Sequence, residues 1–156
     1  IKTSVSLPLG AVTLSENFLQ AQRPLAAELA KMAAHIKSVL APALATMTPT
    51  PHAAIGIGGT ATALAALACN LHEYDSDRIQ DYRLSRASLE AIGERLNCLS
   101  GEERNRLPGL SHGRGEIIIG GLMIIKTLLE ILAYQQITVS DGGLLEGILL
   151  SIANPM

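Results

Sequence analysis

Tryptophan is absent from the sequence, and only one phenylalanine and three tyrosines are present, so the aromatic platforms on which single-stranded nucleic acid stacks are not available. Positive charge is not in excess either. Twelve Lys and Arg stand against fourteen Asp and Glu, a formal net charge of −2, which offers a nucleic-acid backbone no basic surface. Cysteine is scarce: Cys69 and Cys98 lie in apolar helical patterns without a CxxC spacing or a flanking histidine. Ordinary buried thiols of a cytoplasmic protein are therefore expected. Long apolar runs are missing as well. The run from Ile117 is broken at Lys126 and again at Glu130, well short of the ~20 residues a membrane span requires. No basic, then apolar, then small-residue leader pattern opens the chain. Charged residues are few, 17% against about 25% in an average domain. With 48% apolar residues and a mean hydropathy of +0.31, this hints at apolar surface covered by something outside the chain.

What is present has the periodicities of an α/β layer architecture. Lys2 to Leu14 alternates with Val5, Leu7 and Leu9, interrupted by Pro8 and Gly10, and predicts a strand with a bend. Ser15 is placed to cap a short helical turn through Phe18. Pro24 suits the start of a longer helix carrying Leu25, Leu29, Met32, Ile36, Val39 and Leu40, which Pro42 should end or kink near Ala41. Thr48 to Pro51 reads as a loop. A short strand over Ala53 to Ile57 runs through glycines into an Ala- and Leu-rich helix. Asn70 to Tyr82, with Asp75, Asp77 and Asp81, reads as a surface connection. Ser85 caps a helix with Leu89, Ile92, Leu96 and Leu99, and Ser100 to Glu103 has the form of a capping box. One buried helix is predicted from Ile117 to Leu132, packed on the domain's own sheet. A strand over Ile137 to Ser140 and a last helix over Leu144 to Ala153 complete the set. About three strands make an incomplete sheet.

The strongest local signal is Ile55-Gly56-Ile57-Gly58-Gly59-Thr60. A strand that ends in two glycines and feeds a helix leaves several amide N–H groups unpaired at the positive end of the helix dipole. This arrangement suits a phosphate. Thr60 or Thr62 could add a hydroxyl or cap the helix. The spacing is neither a Walker loop nor GxGxxG, and a tight turn that needs glycine for packing is the structural alternative. The remaining polar candidates are weaker. His35, His52, His72 and His112 share no helix at metal-binding spacing. Asp75, Asp77 and Asp81 lack the glycine and terminal glutamate of an EF-hand.

Four segments in order, SVSLPLGAVTLSE at 4–16, IGIGGTATALAAL at 55–67, RLPGL at 106–110 with Arg114 shortly after, and ITVSDGGLLEG at 137–147, resemble the exopolyphosphatase and guanosine pentaphosphate phosphohydrolase (Ppx/GppA) family. The resemblance covers nearly the whole chain. It implies the actin-like superfold shared with sugar kinases and Hsp70-type ATPases, in its ribonuclease H-like form. Residues 1–156 would then be most of the second of two similar domains, with that domain's first glycine-rich hairpin and the whole first domain outside the chain. It further implies a cytoplasmic, Mg²⁺-assisted hydrolase of polyphosphate or guanosine pentaphosphate. The catalytic base and the metal ligands would lie mainly in the other domain, so this portion alone should be inactive.

Carried over by position, Gly58, Gly59 and Thr60 match the family's second-domain glycine turn facing the phosphate or nucleotide. Arg114 matches the arginine of the usual RAD triplet, a contact for a phosphate chain or guanine nucleotide, with a plain surface arginine as the alternative. Asp141 matches the acid of the VSD turn near the interdomain hinge, with helix capping as the favoured alternative. There are departures: Glu116 stands where the family has Asp, Ile119 where proline is common, and Leu145 where GLREG has arginine. Implied partners are the substrate and the remaining domains, with a homodimer left open and no nucleic acid or membrane. Two rival readings stand beside the hydrolase: an ATP-binding kinase of the same superfold, and a non-catalytic nucleotide- or partner-binding domain.

Overall fold

In the computed structural model, which describes residues 3–47, 51–111 and 113–153, an extended segment leads into helix α1 (Ala11–Phe18) and then the long α2 (Ala26–Ala45). The strand expected over 2–14 does not form. Lys2 lies outside the described residues, residues 3–10 join no sheet, and α1 begins where the strand was to continue. Packing decides this against the alternation. Leu14 and Phe18, one helical turn apart, close onto Met32, Ile36 and Leu40 of α2, while Val12 is left 48% exposed. Ser15 is accordingly buried inside α1 and caps nothing. Pro42 does not end α2 near Ala41; the helix runs on to Ala45. A proline near the end of a helix removes a single backbone bond, and Leu44 beyond it still docks on the same apolar cluster. Of the loop expected at 48–51, residues 48–50 lie outside the described residues, and Pro51 joins no helix or strand.

Strand β1 (Ile55–Ile57) enters α3 (Gly59–Ala68). The connection that follows contains a short helix, α4 (Ser76–Ile79), and a strand the sequence reading missed, β2 (Arg83–Ser85). Ile79 and Leu84 are fully buried there, so the segment is less superficial than its acidic composition suggested. Ser85 caps α5 (Arg86–Asn97), and Ser100 closes a capping box with Glu103 at α6 (Gly101–Asn105), both as expected. Then come α7 (Ile118–Ile131), β3 (Gln136–Ser140) and α8 (Leu144–Ala153). The sheet order is β1-β3-β2, with β1 parallel and β2 antiparallel to the central β3.

Helix α7 was expected on the sheet, but its principal neighbours are helices: α1 and α2 on one side, α5 and α3 on the other. It joins two apolar clusters, one under the sheet and one between α1 and α2. Two adjacent glycines make this possible. A Cβ added at Gly120 would stand 2.5 Å from the Ala11 carbonyl oxygen, and one at Gly121 would meet the Thr60 side chain. The two thiols depart from expectation, since Cys69 is half-buried and Cys98 exposed. Both lie at the C-terminal ends of their helices, where the apolar stripe reaches the surface. Among the described residues, no helix is long and apolar enough to cross a membrane.

Three glutamates close helix starts. Glu28 accepts the Leu25 amide at 2.9 Å, Glu103 the Ser100 amide at 2.7 Å and Glu146 the Gly143 amide at 2.7 Å. Bonds from amides, chiefly those of Leu25, Ser100 and Glu146 itself respectively, hold each pKa below the usual 4.5. A carboxyl depressed in the folded state contributes stability that is full above its unfolded pKa and lost as pH falls through the folded one. Thermal unfolding midpoints should therefore drop on acidification from about pH 5 toward about pH 3. Gln at positions 28 and 103 together should flatten that acid limb while lowering the neutral-pH midpoint. Separately, Ser100→Ala should lower stability by about 1 kcal/mol, the usual effect of losing an N-cap, read by denaturant unfolding.

Candidate anion site

The register of the parallel pair sets the site. Ile57 lies opposite Ser140, so the turn after β1 and the turn after β3 emerge side by side at the carboxyl ends of adjacent parallel strands. In α/β sheets that is the crevice where ligands bind. From β1 the chain passes through Gly58, whose φ of 92° and ψ of 174° are a backbone conformation essentially restricted to glycine. Gly58 is the N-cap of α3 without a side-chain cap, and its carbonyl accepts from Thr62 N at 3.2 Å. Among the described residues the amides of Gly59, Thr60 and Ala61 have no acceptor. A 10-residue helix thus opens on the crevice with its first donors unspent.

Two residues that the sequence placed 55 positions apart meet here: the guanidinium of Arg114 lies across the Cα of Gly59, where any Cβ would collide with it. Its backbone is fixed by the start of α7, since the Arg114 carbonyl accepts from Ile117 N at 3.1 Å and Ile118 N at 2.9 Å. Among the described residues the three ion pairs are Arg23–Glu103, Lys37–Glu130 and Lys126–Glu90; Arg114 is in none of them. The glycines are therefore not sealed under apolar side chains. Gly58 is exposed, with open space where a Cβ would stand, and Gly59 is roofed by a cation. Thr60 is turned away, its side chain packed on Gly121, so it offers this site its amide. The Thr62 hydroxyl donates back to the Gly59 carbonyl at 3.4 Å.

Asp141, directly after β3, does not cap α8. One carboxylate oxygen accepts from the Tyr74 hydroxyl, the other from the Ser76 hydroxyl at 2.6 Å, and its amide donates to Gln80 Oε1 at 2.9 Å. The capping expected of it falls to Glu146, whose longer side chain reaches the Gly143 amide. Tyr74 was not singled out from the sequence, and its one signal was an aromatic among the acids of 70–82. Its ring is 59% exposed, but enclosure of the hydroxyl end, then Asp141, push its pKa above the usual 10.0, opposed by the Thr62 hydroxyl and the Arg114 charge. The departures from the family pattern scatter: Glu116 is exposed beside Gly101, Ile119 is a fully buried core residue, and Leu145 is 73% exposed. His112 lies outside the described residues. His35 packs its ring on Phe18, at 5.2 Å between centroids.

These donors are of the kind that bind oxyanions. They do not fit a metal: among the described residues no group of three or more His, Cys, Asp or Glu is placed to hold one.

The model of the Ppx/GppA phosphatase family matches residues 1–155. The chain is 31% identical over 158 residues to exopolyphosphatase 2 of Mycobacterium tuberculosis, covering 98% of this chain and 50% of that protein. A crystal structure of the Aquifex aeolicus member of the Ppx/GppA family superimposes with a TM-score of 0.90 at 29% identity, covering 97% of this chain and 49% of that one. An exopolyphosphatase structure from Cytophaga hutchinsonii shares the fold, with a TM-score of 0.85 at 23% identity. The chain spans about half the length of the curated relatives it matches. The α/β, actin-like architecture expected from the sequence is thus the observed one.

Proposed function

Since the chain belongs to the Ppx/GppA phosphatase family, we propose that it is one half of a hydrolase that removes the terminal phosphate of inorganic polyphosphate or guanosine pentaphosphate. The observation that carries this is the Arg114 guanidinium lying over Gly59 at the open start of α3. Phosphoryl transfer is mostly positioning and charge stabilisation. Free amides at the positive end of a helix and a planar guanidinium are the donors that hold phosphate oxygens.

In this reading Gly58, Gly59 and Thr60 supply backbone amides and Arg114 a cationic contact to the phosphate chain. Asp141 marks the hinge against the other half, which contributes the base that activates water. The family implies Mg²⁺, whose ligands in this reading come mainly from the other half. Two surfaces support a second-domain assignment with further chain packed on it. Strand β1 lies at the edge of the sheet with Ile55 and Ile57 66% and 63% exposed. Helix α8 exposes Leu144, Leu145, Ile148, Leu149, Leu150 and Ile152. Such an extent of apolar surface is what the low charge content anticipated.

The test is product identity with the full-length protein. Free phosphate should appear from polyphosphate or guanosine pentaphosphate without any acceptor, and this chain alone should release none. Formation of ADP together with a phosphorylated acceptor would replace this reading with the kinase; binding without turnover would replace it with a non-catalytic module.

A further inference from the structure

Asp141 raises a problem for an anion site. It follows Ser140, which is registered opposite the last residue before the glycine turn, so a carboxylate emerges beside the turn over which Arg114 lies. A guanidinium and a carboxylate free to meet there would neutralise each other and repel an incoming phosphate. They do not pair in this structure. Both Asp141 oxygens are occupied, one by the Tyr74 hydroxyl and one by the Ser76 hydroxyl at 2.6 Å. Its backbone is tied to Gln80 Oε1 at 2.9 Å. Arg114 instead lies over Gly59 with no acidic partner among the described residues.

We propose that Tyr74 is a positioning residue of the anion site: its hydroxyl holds the Asp141 carboxylate away from Arg114 and leaves the guanidinium across Gly59 open to a phosphate oxygen. This rests on the reading of the glycine turn as an oxyanion cradle. The physical logic is exchange of partners. A carboxylate that loses one neutral donor seeks another, and an arginine is the stronger one. Removing the hydroxyl should therefore act at Arg114 through Asp141, whereas removing the Asp141 charge as well should abolish the effect.

The experiment is a double-mutant cycle on the full-length protein, with inorganic tripolyphosphate as the probe, affinity read by calorimetry, and KM and kcat read from phosphate release. Y74F should weaken tripolyphosphate binding about two- to fivefold, the size of one charge–charge competition near the surface, with the effect in KM more than in kcat. Because Asp141 also marks the hinge, D141N serves as its own reference, and Y74F in the D141N background should bind like D141N. If Y74F weakens the D141N background by the same factor as it weakens the parent, the hydroxyl merely fastens the 70–82 segment and the proposal is overturned. Unchanged binding in Y74F overturns it too, leaving the anion site intact. No tripolyphosphate binding by the parent protein overturns both.

Discussion

Gly59→Ala is expected to weaken phosphate-chain binding and kcat/KM by about tenfold or more while leaving the unfolding free energy nearly unchanged. The Cβ it introduces points at the Arg114 guanidinium, the far end of a flexible side chain that can swing aside at little expense. Alanine also favours the first turn of a helix over glycine, by up to about 1 kcal/mol. The fold therefore has no reason to suffer, but the guanidinium does leave the place where it would meet an oxyanion. The measurement is a pair: phosphate release from the full-length protein, and denaturant unfolding of the same variant. Parent-like activity in Gly59→Ala would falsify the role of Arg114 over this turn. Arg114→Ala should reproduce the same loss, and the two changes combined should be little worse than either, since both remove one interaction.

The same substitution 61 residues later should do the opposite. Gly120→Ala places its Cβ 2.5 Å from the Ala11 carbonyl oxygen, 3.2 Å from the carbon of that carbonyl and 3.0 Å from Ser15 Oγ. Here the obstruction is backbone, so α1 must retreat from α7 as a unit. That loosens the seam in which Leu14, Met32 and Ile36 are buried. Overpacking of this kind costs about 1–3 kcal/mol, with any gain in helix propensity already offset. Gly120→Val should cost more, since a β-branched side chain adds volume to a contact with no space. A shift of several degrees in the unfolding midpoint is the expected reading for a domain of this size. Substrate affinity per folded molecule should change much less, because the glycine turn, Arg114 and Asp141 lie outside the α1–α7 seam.

The contrast between the two glycines shows where sequence reading stopped. Gly58 and Gly59 were legible because strand, glycine pair and helix occur consecutively, and local chain chemistry alone puts amides at a helix start. Gly120 and Gly121 sit in an apolar helical run, where composition shows nothing of what approaches them. Neighbours come from α1 and α3, more than a hundred and about sixty residues upstream, roughly the separations at which pattern carries no information. The failed strand over 2–14 is the same lesson reversed. Its alternation was real, but helical spacing of Leu14 and Phe18 against α2 buries more than a lone strand without a partner can. Strand β2 was missed because three residues, Arg83 to Ser85, are too few to display a period.

By itself the sequence showed which turn exposes main-chain donors, since amides, glycine and a helix start need only be neighbours along the chain. Its low charge content hinted at covered apolar surface, and Arg114 entered through the resemblance to the family. Only the tertiary structure decided the relations: Arg114 over Gly59, Thr60 turned onto α7, and Asp141 engaged by Tyr74 and Ser76 rather than by α8. The place of Asp141 follows the parallel register of β1 with β3, and that of Thr60 follows Gly121 letting α7 close on α3. Both arise from packing between distant segments, which no local pattern encodes.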